Sequence, residues 1–124
     1  METGFGTMTE ATHVVVLITA PSREVGRQIA DSLLEKRLVA CVNMIAPIES
    51  RYLWKEEHCT DEEVLLLAKT RADLFTEQLV PTVRSIHPYE VPEIIALPIL
   101  MGSTDYLAWI DESTGLSPSS AVSG

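Results

Sequence analysis

Apolar positions along the chain fall into two rhythms. His13 to Ile18 (HVVVLI) is apolar without alternation, which predicts a strand that is central or covered on both faces. Thr19-Ala20-Pro21 ends it, and Ser22 is a good N-cap. Val25, Ile29 and Leu33 then recur at four-residue intervals, with Ala30, Leu34 and Leu38 beside them. Arg23, Arg27, Asp31, Glu35 and Lys36 fall mostly outside that stripe. The pattern predicts an amphipathic helix of about four turns lying on a sheet.

A second strand is expected to begin at Leu38-Val39-Ala40-Cys41-Val42 and to resume after Pro47 as Ser50-Arg51-Tyr52-Leu53-Trp54. Tyr52 and Trp54 share one face by the period of two. Pro47 bends this strand or places it at an edge. Lys55 to Glu62 (KEEHCTDE) reads as a charged tip, and Glu63 to Thr70 as the returning strand. Such a hairpin outreaches a domain of this size. Its unpaired backbone edges are most economically covered by other subunits, which predicts an oligomer.

Ala72 to Ile86 carries a helical stripe of Phe75, Leu79, Val83 and Ile86. Pro81 lacks an amide and crowds the carbonyl of Glu77, so a kink is expected there. Glu93 to Leu100 reads as a strand. Gly102-Ser103 turns the chain, and a short helix follows with Tyr106, Leu107 and Ile110 on one side and Trp109 nearby. Residues 1–12 read as a flexible N-terminus, 13–113 as the domain and 114–124 as a tail disordered by composition. The element order is the split βαβ pattern: an α+β fold, βαββαβ with an extra C-terminal helix.

Between the second helix and the last long strand lies His87-Pro88-Tyr89-Glu90-Val91-Pro92-Glu93. Pro88 and Pro92 disfavour helix at His87 and Val91. The segment is a stiff connector carrying an imidazole, a phenol and two carboxylates at one end of a sheet. It is either a helix stop followed by a strand start, or a presented site.

Composition narrows the function. The 124 residues make one domain, with 46% apolar and 22% charged residues. A net charge of −9 argues against nucleic acid, whose phosphates need clustered Lys and Arg. No apolar run reaches membrane-spanning length. METGFGTMTEAT has neither the basic nor the apolar region of a signal peptide, so the expected compartment is the cytoplasm. Two cysteines do not imply a disulfide framework. Cys41 and Cys59 stand near opposite ends of the hairpin, on the order of tens of Å apart at ~3.3 Å per residue, and should not bond within one chain.

The chain resembles the CutA family of divalent-cation tolerance proteins. The matching pieces are LVACVN (38–43), SRYLW (50–54), Glu63 nine residues after Trp54, LAKT (67–70), HPYEVPEIIALPI (87–99) and YLAWI (106–110), in the family's order. The resemblance implies a ferredoxin-like fold and a homotrimer whose long β2–β3 hairpins pair between subunits. It also implies binding of copper or other divalent metal ions and a cytoplasmic role in metal tolerance.

His87 is the first metal candidate, since a neutral imidazole suits copper and zinc and the resemblance places a ligand-bearing histidine here. Ile86 and Ile18 stand where some relatives have His and Cys, which removes two ligands. One histidine needs help from Glu90, Glu93 or a neighbouring subunit; alternatively, His87 only hydrogen-bonds the connector. Cys41 is either a small buried hydrophobe or, by the family match, a soft-metal ligand. His58-Cys59, among Glu56, Glu57, Asp61, Glu62 and Glu63, lack the spacing of a preformed site and read as a solvated turn able to collect weak cations.

Tyr52, Trp54, Glu63, Lys69, Tyr89, Glu93 and Trp109 form a second set. They make either a polar cluster at the subunit interface or an inter-subunit pocket with aromatic walls, in which Glu63 or Glu93 pairs with Lys69. No nucleophile–base–orienter set, phosphate loop or His-Glu-x-x-His motif is present, so no enzyme is read. The sequence supports a trimeric copper or divalent-cation binder centred on His87. The alternative is a trimeric sensor or adaptor, like the nitrogen-regulatory signal trimers, taking a small anion near Lys69. The third reading is an assembly module without a ligand.

Overall fold

Strand β1, His13–Ala20, runs through the middle of a four-stranded antiparallel sheet in the computed structural model, which describes residues 11–116. The other strands are β2 (Cys41–Trp54), β3 (Glu57–Arg71) and β4 (Ile94–Pro98), in the spatial order β2-β3-β1-β4. This is the ferredoxin-like arrangement of the split βαβ pattern. Val14, Val16, Ile18 and Ala20 of β1, with Val64, Leu66 and Ala68 of β3, are buried on one face. There they form a core with Ile29, Leu33, Leu79 and Val83 from the two helices. The alternate β1 residues are only half-buried, so β1 is central but covered on one face alone by its own chain.

Helix α1, Arg23–Glu35, is capped as expected: the Ser22 hydroxyl accepts from the Val25 amide at 3.1 Å. Its buried stripe is Gly26, Ile29 and Leu33, not Val25. Gly26 lets the helix lie close to the hairpin, since a Cβ there would stand 3.1 Å from both Met44 Sδ and Val64 Cγ2. Arg37, at φ 57°, ends the helix in the left-handed region. Its amide bonds the Leu34 carbonyl, and that of Leu38 reaches Leu33, a Schellman closure. This closure occupies residues expected to open β2, which therefore begins at Cys41.

Pro47 does both things expected of it. β2 is an edge strand, and its register with β3 shifts between Ile45 and Ile48. The hairpin tip differs from the charged loop read at 55–62. Only Lys55 and Glu56 turn the chain, both at positive φ (52° and 69°), and Glu57 already pairs with Trp54. The charged residues 57–62 lie in the ladder, because cross-strand pairing outweighs their modest strand propensity.

The second helix is composite. A 3₁₀ turn (Ala72–Leu74) leads into a π-helical turn (Phe75–Leu79) and then α2, Val80–Ile86. The Val80 amide bonds the Phe75 carbonyl, five residues back. The missing amide of Pro81 is absorbed by this widened turn instead of by a simple kink. Helix α3, Thr104–Ser113, is capped by Ser103 and buries Ile110. It is fastened to the sheet by His13 Nε2 on Asp111 Oδ1 at 2.9 Å and by Arg71 Nε on the Thr114 hydroxyl at 2.9 Å. Thr114, which composition groups with the tail, is itself buried. Residues 1–10 of the flexible stretch and 117–124 of the tail lie outside the described residues. On the sheet face away from α1 and α2, Ile45, Ile95 and Leu97 are about half exposed.

Candidate functional site

The stiff connector leaves α2 and crosses the end of the sheet beside the hairpin. Between them lies a cavity of about 660 Å³. Tyr52 and Trp54 line it from β2, Glu63 from β3, and Tyr89, Glu90 and Glu93 from the connector; Thr19, Ser50 and Arg51 complete much of the wall. The hairpin places its residues there through register. Ser50 opposes Asp61, Tyr52 opposes Cys59, and Ile48 opposes Glu63. Alternate residues on both arms therefore share a side.

Glu63 is buried, with 6% of its surface exposed. The Tyr89 hydroxyl donates to its Oε2 at 2.7 Å. Burial, and then this bond to the carboxylate, hold the Tyr89 phenol well above its ordinary range. Tyr52 donates to the Asp61 carboxylate, and that bond pushes its phenol up to about 12. Both hydroxyls stay protonated at neutral pH and serve as donors, not as bases.

His87 is buried at the edge of this arrangement, its ring 4.7 Å from that of Tyr89. Nε2 donates to the Thr19 carbonyl at 2.7 Å, and Nδ1 accepts from the Tyr89 amide at 3.3 Å. The ring hydrogen is thereby assigned to Nε2. Both nitrogens are occupied in fixing the connector to β1, so a metal at His87 must displace one of these bonds.

The four sequence candidates for metal binding do not converge. Glu90 and Glu93 share the cavity, but Cys41 pairs with Lys69 far along β3 from Glu63. Among the described residues, no group of three or more His, Cys, Asp or Glu is placed to hold a metal ion. His58 and Cys59 are consecutive in β3 and so point to opposite sides of the hairpin. Both cysteines are free.

The second set divides in two. Tyr52, Trp54, Glu63, Tyr89 and Glu93 line the cavity, whereas Lys69 and Trp109 do not. Six residues of strand separate Lys69 from Glu63, roughly 20 Å, so these two do not pair within one chain. Lys69 instead donates to Asn43 Oδ1 and lies 3.8 Å from Cys41 Sγ. Burial and the neighbouring Cys41 raise the phenol of Tyr106 from α3, and its ring lies tilted against Trp109, with centres 5.5 Å apart. Sequence reasoning missed Thr19 and Asn43, and grouped Asp61 with the charged tip instead of with Tyr52. The two-residue spacing of Cys41 and Asn43 on one strand was a usable signal; Thr19 and Asp61 needed the sheet register.

A family model described as "CutA1 divalent ion tolerance protein" matches residues 14–113. The chain is 52% identical over 101 residues to a divalent-cation tolerance protein CutA of Thermus thermophilus, covering 82% of this chain and 97% of that protein. It is 46% identical over 97 residues to a human protein CutA, covering 78% of this chain but 54% of the human one. A solved Thermus thermophilus structure superposes with a TM-score of 0.80 at 50% identity, covering 83% of this chain and 99% of that one. CutA1 from Oryza sativa superposes with a TM-score of 0.81 at 43% identity, covering 88% and 99%.

Proposed function

The chain belongs to the CutA1 divalent ion tolerance family, and from that membership we propose that it is a cytoplasmic homotrimer that binds copper or related divalent cations. The observation that carries the cation reading is the acidic lining of the cavity, to which Glu90 and Glu93 contribute with Arg51 as the basic residue among them; among the described residues these do not make a complete ligand set by themselves. Carboxylates suit hard divalent ions. Copper also calls for nitrogen or sulfur, which His87 supplies by giving up its bond to Thr19. Cys41 is a separate soft donor at the other end of the sheet. The remaining ligands come from a neighbouring copy.

The half-exposed apolar face around Ile45, Ile95 and Leu97 supports assembly, because a monomer gains by covering such a patch. The long hairpin arms give each copy an edge to pair with the next. Two free cysteines suit a reducing compartment. The role is binding rather than turnover. The small-anion reading centred on Lys69 is not favoured, since that ammonium is already taken by Asn43 and stands away from the cavity.

Calorimetric titration of metal-stripped protein with copper and zinc tests this, with mass followed by light scattering. Saturable binding is expected, weakened about tenfold or more in Glu90→Gln/Glu93→Gln and in His87→Ala while the trimer persists. An intact trimer with no saturable binding would sink the reading.

A further inference from the structure

Glu63 sets a charge problem that the described residues leave open. Its carboxylate is buried, and a buried charge calls for a paired opposite charge and further hydrogen bonds. Among the described residues the ion pairs are His13–Asp111, Arg51–Glu49 and Arg71–Asp73, and none includes Glu63. Tyr89 provides one hydrogen bond, to Oε2, while an ionised carboxylate can accept several. The cavity beside it has the rings of Tyr52, Trp54 and Tyr89 in its walls. Ring faces attract cations, and Trp54 already carries one: the Lys55 ammonium lies 5.6 Å from its ring centre. Arg51, the basic residue in the wall, pairs with Glu49 at 3.2 Å.

We propose that this cavity binds a small organic cation bearing N–H donors, an alkylammonium or guanidinium group on a short aliphatic stem. Its head pairs with Glu63 and its stem lies against Trp54 and Tyr52. N–H donors match the Glu63 acceptor positions left beside the Tyr89 bond among the described residues, and the stem matches the aromatic walls, which a bare metal ion does not use. A cavity of about 660 Å³ falls within the usual range for small-molecule sites. The two sites share one cavity wall but differ in anchor, Glu63 with Trp54 here against Glu90, Glu93 and His87 for a metal, and the two are tested by different variants.

The experiment titrates 1,4-diaminobutane, and in parallel its neutral isostere 1,4-butanediol, into metal-stripped protein by calorimetry. Saturable binding of the diamine and none of the diol is expected. Affinity should fall at least about fivefold in Glu63→Gln and in Trp54→Leu. Circular dichroism checks each fold, and Trp54→Leu, on the exposed hairpin, carries the test if Glu63→Gln does not fold. Equal binding of the diol, or wild-type affinity in a folded variant, overturns the proposal. So does the absence of saturable binding, which would assign the counter-charge of Glu63 to a neighbouring copy. Copper binding unchanged in Trp54→Leu, measured alongside, separates the failure of one site from that of the other.

Discussion

The Tyr89 hydroxyl donates to the Glu63 carboxylate at 2.7 Å, tying the connector after α2 to β3 across 26 residues of chain. The bond joins two residues of the cavity wall and supplies a donor to a buried carboxylate. Tyr89→Phe keeps the ring and removes that donor. Leaving a buried acceptor unsatisfied costs about 1–3 kcal/mol. A lower denaturation midpoint at fixed protein concentration is the expected outcome; an unchanged midpoint would show that Glu63 is satisfied by other means.

Alkaline stability follows from the tyrosines. The phenol of Tyr52 titrates near 12, and those of Tyr89 and Tyr106 are also raised. Each folded value exceeds the unfolded value of about 10. The folded protein therefore holds more phenolic protons than the unfolded chain as pH rises through this interval. Their contribution is fully present below pH ~10 and is lost as pH rises through the folded values. Phenolate absorbance should develop well above pH ~10 in intact protein and near it in denatured protein. Coincident titration curves would contradict this.

The hairpin turn is strained by its own sequence. Glu56 sits at φ 69°, where a side chain costs roughly 1–2 kcal/mol and glycine nothing comparable. Glu56→Gly should therefore raise stability by about 1 kcal/mol, read as a higher melting temperature.

Gly26 is a packing constraint on the helix–hairpin contact. Branched atoms at this position meet Met44 and Val64 closer than ordinary contact. Met44 can swing away, but Val64 is buried in the sheet. Gly26→Val should destabilise by about 1–3 kcal/mol through overpacking, whereas Arg27→Val on the exposed side should change little. Chemical denaturation of the two variants makes the comparison.

Much of the fold was legible because its signals are local. The apolar run at 13–18, the Ser22 and Ser103 caps and the stripe through Leu79 and Val83 each depend on a few consecutive residues, and each appears where it was read. The misreadings fell where local preference competed with pairing. Residues 57–62 look like a polar loop but lie in a ladder, and Pro81 looks like a break but sits beyond a π-turn.

The candidate site was legible as a collection of residues and not as an arrangement. The connector's stiffness follows from Pro88 and Pro92 alone, and the shared face of Tyr52 and Trp54 follows from strand period. That Lys69 is out of reach of Glu63 is decided by distance along β3. That both nitrogens of His87 are engaged is decided by the Thr19 carbonyl, 68 residues away in the chain. Which elements form and which chemistry they carry follows from the residues in order, because caps, periodicity and proline act within a few residues. Which groups meet follows from the folded chain, because sheet register and the path of the connector set distances that no local pattern contains.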